Sequence, residues 1–221
     1  MRNYELKEKL LTKLESVLSQ YSYKLKKSSD EFVHKNKEGW FKFQLIFLER
    51  DNDWEINLGM LIRIDKVENI YHKVSYFEPK YHKTTPTIGI TVENYINDAT
   101  EYRFDLIKLD DIEICFHGIV KLFKEVALLF FEKYKSIEEI EHAINVKEGH
   151  SLFSGIKYEG NLGIILAKLV NNPDYEFFKA KYLKYYTEDY DGFYLEEFQN
   201  ILKVLDEIGH NAGSPKCSNF N

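Results

Sequence analysis

The chain has 221 residues, a formal net charge of −6, two cysteines and a hydrophobic share of 44%. These values are typical of a globular protein with a real core. Two cysteines exclude a disulfide framework and favour a reducing compartment, and the apolar runs are far shorter than the ~20 residues of a membrane helix. We therefore expect a cytoplasmic protein that makes no contact with a membrane.

The charge is unevenly distributed along the chain. Residues 1–108 carry 18 Lys and Arg against 17 Asp and Glu, whereas residues 109–221 carry 12 against 19. An acidic C-terminal half repels the phosphates of nucleic acids and attracts basic proteins. The sequence therefore argues against nucleic-acid binding and favours a basic protein as the partner.

The first half of the chain has the pattern of a helix followed by strands. Leucines spaced by three or four predict an amphipathic helix over 3–21. A period of two then predicts a hairpin of "EGWFKFQLIFLE" and "DWEINLGMLIRID", joined by the polar turn "RDND". A short strand is expected in "EFVHKNK", whose lysines would protect a sheet edge. Two more strands are expected in "TIGITVENY" and "EYRFDLI".

From Asp110 onward the apolar period returns to that of a helix. One long helix is predicted there, with Asp110 or Asp111 as the cap of its first turn. Four shorter helices are predicted, over 136–145, 160–171, 174–186 and 194–208. Residues 209–221 have the composition of a flexible tail.

The predicted fold class is α+β, with an N-terminal helix and a mostly antiparallel sheet followed by a long helix and a helical C-terminal half. The predicted parts are the helix and sheet over 1–108, the helical part over 109–208 and the tail over 209–221. The first two can pack into one domain.

The order of elements resembles that of a bacterial domain-of-unknown-function family, the one numbered 4304. Two local patterns carry the resemblance, "WFKFQLIFLERDNDWEINLGMLI" and "LFKEVALLFFEKYKSIEEIEHAI". In the second, a phenylalanine pair and Glu-Lys-Tyr end a long helix, and a Ser-x-x-Glu capping box opens the next one. The resemblance covers 4–205 in outline and implies an α+β fold without known catalytic residues. The segment 65–86 departs from the family pattern as an insertion.

The insertion contains Tyr-His-Lys twice, at 71–73 and at 81–83. Single histidines ten residues apart lack the paired spacing of a zinc site, and neighbouring carboxylates nearly cancel the lysines that a nucleic acid would need. The favoured interpretation is a connection between strands, partly helical at 66–74, with aromatic residues packed on the sheet. A partner-contacting loop is compatible with it, because exposed tyrosines are good interface anchors. The candidates are Tyr71, His72, Tyr81 and His82.

A second candidate surface lies in "TEDYDGFYLEEF". A calcium loop is excluded there, because Thr187 and Phe198 stand where an EF-hand needs carboxylate oxygens. Tyrosines among carboxylates are what a surface for a basic protein would display. The candidates are Tyr186, Glu188, Asp189, Tyr190 and Asp191.

The other histidines lack a catalytic spacing. His117 shares a helical stripe with Glu113, which is typical of a solvated face. His142 and His150 lack the His-Glu-x-x-His spacing of a metalloprotease. The chain has neither a phosphate-binding loop nor a Gly-x-Ser-x-Gly elbow. We therefore predict no catalytic, cofactor-binding or metal-binding residues, and no cofactor.

These patterns favour a bacterial, non-catalytic protein that binds another protein, such as an immunity-type or regulatory partner of a basic protein. Two alternatives stay open. One is a small-molecule-binding domain or enzyme with a pocket between sheet and helices, for which His72, His82, Tyr81 and His117 would be the first residues to inspect. The other is a self-associating structural protein, a homodimer with a sheet edge or the insertion at its twofold interface.

Overall fold

The computed structural model describes residues 3–50, 53–153, 158–188 and 192–212. The chain divides into two compact units. The sheet unit comprises Met1–Asp65 and Pro86–Glu139, and the helical unit comprises Lys66–Thr85 and Ile140–Asn221. This division differs from the predicted 1–108 and 109–208, because the long helix belongs with the sheet and the insertion belongs with the C-terminal helices.

The fold is α+β, as predicted. In chain order the helices are α1 (Asn3–Leu18), α2 (Asp65–Tyr71), α3 (Val92–Ile96), α4 (Asp111–Leu122), α5 (Leu128–Lys133), α6 (Ile137–Ile144), α7 (Tyr158–Leu169), α8 (Tyr175–Glu188) and α9 (Leu195–Ala212). Short 3-10 turns lie at Ser19–Tyr21, Lys27–Ser29 and Pro79–Tyr81. None of the helices in the described ranges combines the length and the apolar character that crossing a membrane requires.

The strands of the sheet unit are β1 (Lys24–Lys26), β2 (Glu31–Lys35), β3 (Gly39–Arg50), β4 (Asp53–Ile64), β5 (Ile88–Thr91) and β6 (Phe104–Leu106). They form one antiparallel sheet in the order β1-β2-β3-β4-β5, and β6 also pairs with β4. Because β2 lies between β1 and β3, its lysines do not protect an edge. That prediction is wrong, and the exposed Lys24 and Lys26 lie on the edge strand instead.

The hairpin of β3 and β4 supplies the core face of the sheet. Its register places Phe43 opposite Met60 and Leu45 opposite Leu58, so the apolar side chains of both strands share one face. Helical residues cover that face: the Phe123 ring meets Phe43 edge-on, with centroids 5.2 Å apart. The predicted hairpin and its apolar face are confirmed.

The long helix is interrupted by a π-helical turn at Phe123–Ala127, which separates α4 from α5. A π turn adds one residue to the helical repeat and rotates everything after it. The side chain buried after Phe123 is therefore Ala127, and Val126 is only half-buried. Beyond the turn, both Phe130 and Phe131 are buried.

The predicted cap of the long helix is wrong in detail. Asp110 makes no side-chain capping hydrogen bond, and Asp111 accepts the backbone N–H groups of Ile107 and Lys108 at 2.9 Å, so it fixes the preceding loop. In "TIGITVENY" the strand ends at Thr91, because its side chain accepts the N–H of Asn94 and starts α3.

The helical unit is arranged around α7, whose residues 160–167 are all buried. A Cβ at Gly160 would lie 2.7 Å from the Tyr186 hydroxyl, and one at Gly163 would lie 2.8 Å from the Tyr182 hydroxyl. The two glycines therefore let both α8 tyrosines pack directly on α7. The last helix continues to Ala212, four residues past the predicted end, and the rest of the predicted tail lies outside the described residues.

Candidate partner-binding surface

The insertion and the α8–α9 region, which the sequence singles out separately, meet at Glu197. The Tyr71 hydroxyl and the backbone N–H of Tyr76 each donate to Glu197 Oε1, both at 3.2 Å. Glu197 lies in the first turn of α9, where the helix dipole favours a carboxylate. The expectation that the aromatic residues of the insertion pack on the sheet missed this contact with α9.

The second oxygen of Glu197 binds inside the helical unit. Asn161 Nδ2 donates to Glu197 Oε2 at 3.1 Å, and the Asn161 backbone N–H donates to the Tyr186 hydroxyl at 3.2 Å. Glu197 and Asn161 are both buried. A buried carboxylate is stable only when donors satisfy it, so Glu197 connects the insertion, α7 and α9.

Large aromatic side chains lie exposed on both sides of this connection. Tyr76 is 64% exposed and Tyr81 is 47% exposed on the insertion, and Phe193, just before α9, is 75% exposed. Phe193 meets the ring of Tyr194 edge-on, with centroids 4.7 Å apart. Sequence analysis did not single out Tyr76 or Phe193 as candidates, because no spacing distinguishes an exposed aromatic residue from a buried one.

Carboxylates border the Tyr76 ring. Partial loss of solvent, followed by the charges of Glu196 and Glu197, raises the pKa of Tyr76 above its usual value. The two carboxylates place negative charge beside an exposed aromatic ring. We call the set of Tyr76, Tyr81, Phe193, Glu188 and Glu196 the composite surface.

The structure separates the predicted partner-binding residues other than the two histidines into three groups. Tyr81 and Glu188 are exposed, and Glu188 lies 3.7 Å from Lys184 on the same helix. Tyr71 and Tyr186 are buried, which corrects the expectation that they face a partner. Each lies four residues after another buried side chain, Val67 and Tyr182 respectively, and this helical spacing could have indicated their burial. Asp189, Tyr190 and Asp191 lie outside the described residues.

His72 and His82 lie beneath the exposed part of the insertion, with their rings stacked at a centroid distance of 4.2 Å. His82 Nε2 donates to the Phe77 carbonyl oxygen at 2.8 Å, since a carbonyl can only accept. The His72 side chain is almost fully buried. The repeated tripeptide is therefore a packing motif that shapes the insertion.

The described ranges contain no cluster of three His, Cys, Asp or Glu side chains that could hold a metal ion. His117 is exposed and lies 3.7 Å from Glu113, so the predicted solvated face is confirmed. Cys115 is buried, and its burial raises the pKa of the thiol to about 11. A protonated, inaccessible thiol is a poor nucleophile.

The charge counted over the helical unit is less negative than the charge counted over residues 109–221. The helical unit carries 12 Lys against 14 Asp and Glu, because the insertion contributes four Lys and only two Glu. The acidic excess of residues 109–221 is therefore not spread over this unit. Any attraction of a basic partner must come from local carboxylates such as Glu188 and Glu196.

No family model, no curated protein and no solved structure matches this chain. The resemblance to the bacterial family numbered 4304 stays a prediction.

Proposed function

We propose that this protein acts by binding another protein through the composite surface, and that the partner is basic. The observation that carries the proposal is the exposure of Tyr76, Tyr81 and Phe193 within one compact unit, with Glu196 and Glu197 beside Tyr76. Tyrosine and phenylalanine are enriched at protein interfaces, and tyrosine is among the residues that most often anchor them. An immunity-type or regulatory protein of the bacterial cytoplasm, which works by covering a partner's surface, fits this arrangement.

The contacts beneath the surface hold it in a fixed conformation. Glu197 ties the insertion to α9, and the stacked histidines fix the loop that carries Tyr76 and Tyr81. A loop that is already ordered loses less conformational entropy on binding. The composite surface is therefore pre-organised for a partner.

The charge of the composite surface gives a first test of this proposal. We expect the double substitution Glu188→Gln and Glu196→Gln to slow association about threefold or more at low ionic strength, because surface carboxylates steer a basic partner. The measurement is stopped-flow association with the basic proteins encoded by neighbouring genes. Glu132→Gln is the matched control, since Glu132 is equally exposed but lies in the sheet unit. Equal rates for all three proteins would count against a basic partner.

A second copy of the chain is the alternative occupant. The insertion carries an excess of one positive charge over 65–86, and Glu196 and Glu197 of α9 lie beside its Tyr76. Such a surface is self-complementary across a twofold axis. A dimer mass in light scattering, reduced to a monomer by the same double substitution, would favour this function.

A further inference from the structure

Four side chains of the helical unit form a continuous chain of hydrogen bonds. Ser75 Oγ lies 2.7 Å from His72 Nδ1, and His72 Nε2 lies 2.7 Å from Thr85 Oγ1. Thr85 Oγ1 in turn donates to Glu68 Oε2 at 2.6 Å. Glu68 Oε2 also lies 3.4 Å from His72 Nε2, so a carboxylate stands close behind the imidazole.

This chain of hydrogen bonds determines which ring nitrogen of neutral His72 carries the proton. Thr85 has one hydroxyl proton, and the Glu68 carboxylate receives it, so Thr85 Oγ1 must accept from His72 Nε2–H. The neutral His72 ring therefore presents the lone pair of Nδ1 to the Ser75 hydroxyl. Stacking on His82 and an edge contact with Phe77 hold the ring in this orientation.

We propose that Ser75 is an activated nucleophile that accepts an acyl group from carboxylic esters, with His72 as its general base. In the step, Ser75 Oγ bonds to the ester carbonyl carbon while its proton passes to His72 Nδ1. The ester C–O bond then breaks, and the leaving alcohol takes that proton from Nδ1. The products are an acylated serine, a free alcohol and a neutral His72, with Thr85 and Glu68 as positioning residues.

The surrounding backbone limits this chemistry to acylation without rapid turnover. The N–H groups of Val74 and Ser75 both donate to the Tyr71 carbonyl oxygen, and that of Tyr76 donates to Glu197. None of these three is directed at a developing oxyanion, which is the largest source of acceleration in acyl-transfer enzymes. Because Ser75 is only half-buried, small reagents can reach it. The site is thus an acylation site, and it is independent of the proposed partner binding.

The test is mass spectrometry of the full chain after treatment with p-nitrophenyl acetate or a fluorophosphonate. We expect one main adduct at Ser75, formed at least about tenfold faster than at Ser16, which is exposed and donates to the Lys13 carbonyl oxygen within its helix. His72→Ala should lower the Ser75 rate to that of Ser16. The wild-type rate should fall on acidification, because a proton on Nδ1 removes the acceptor.

Positioning by Thr85 is tested with one variant that keeps the hydroxyl and one that keeps the shape of threonine but lacks the hydroxyl. Thr85→Ser keeps the hydroxyl and should retain the acylation rate, whereas Thr85→Val should lower it severalfold and change its pH profile. Circular dichroism of each variant shows whether the fold is intact. The pH profile of the wild-type protein tests the proposal even where a variant fails to fold. No adduct at Ser75, or an adduct that forms at the Ser16 rate or independently of pH, would overturn the proposal.

Discussion

Replacing Glu197 with alanine is expected to lower the free energy of unfolding by about 3 kcal/mol, since each buried donor that loses its acceptor costs about 1–3 kcal/mol. Glu197 accepts hydrogen bonds from Tyr71, Tyr76 and Asn161. Tyr71 and Asn161 are buried, so water cannot replace the lost acceptor. The insertion should also lose its two hydrogen bonds to Glu197 of α9.

Glutamine at position 197 should cost less than about 1 kcal/mol, although it removes the same charge. Asn161 Oδ1 is buried and has no hydrogen-bond partner within the described residues. A flip of the Asn161 amide would turn this oxygen toward the new Gln amide group, which can donate to it. Urea unfolding of both variants measures the difference. Equal losses for alanine and glutamine would contradict the role of Glu197 as a hydrogen-bond acceptor.

Gly39→Ala is expected to destabilise the sheet unit by about 3 kcal/mol or more, because overpacking and backbone strain each cost about 1–3 kcal/mol. Gly39 has a φ of +153°, and a Cβ there would lie 2.0 Å from the Arg63 carbonyl oxygen. That oxygen belongs to the backbone of β4, so the hairpin itself would have to move.

The same hairpin contains a matched control for this substitution. A Cβ at Gly59 would meet its nearest atoms at 3.5 Å, an ordinary contact distance. Gly59→Ala should therefore change the free energy of unfolding by less than about 0.5 kcal/mol. If thermal unfolding shows similar losses of stability for Gly39→Ala and Gly59→Ala, the close approach of Gly39 to the Arg63 carbonyl oxygen is not what makes alanine unfavourable there.

Local patterns predicted most of the secondary structure of this protein. The β3–β4 hairpin was predictable because its apolar side chains alternate from Phe41 to Phe47 on β3 and from Trp54 to Ile64 on β4. The π turn at Phe123–Ala127 was not, because it shifts the apolar period by one residue without a distinctive sequence. Thr91 had the signal of a helix cap, but the β-branched residues around it favoured a longer strand.

The candidate site depends on contacts that the sequence could not reveal. Tyr71 and Glu197 are 126 residues apart, and only the folded chain brings them within hydrogen-bonding distance. In the chain of hydrogen bonds around His72, Glu68 lies four residues before His72 and Ser75 lies three residues after it. These helical spacings could have indicated contact. Thr85 lies thirteen residues from His72 across an irregular loop and carried no such signal.

The affinity of the aromatic variants tests the account most directly. Tyr76→Ala and Phe193→Ala should each weaken binding of the partner about tenfold or more, as truncation of an aromatic anchor usually does. Leu129→Ala is the control, because Leu129 is as exposed as Tyr76 but lies in the sheet unit. Calorimetry with the basic proteins encoded by neighbouring genes should show this loss for the two aromatic variants alone. Unchanged dissociation constants for Tyr76→Ala and Phe193→Ala would contradict binding through the composite surface.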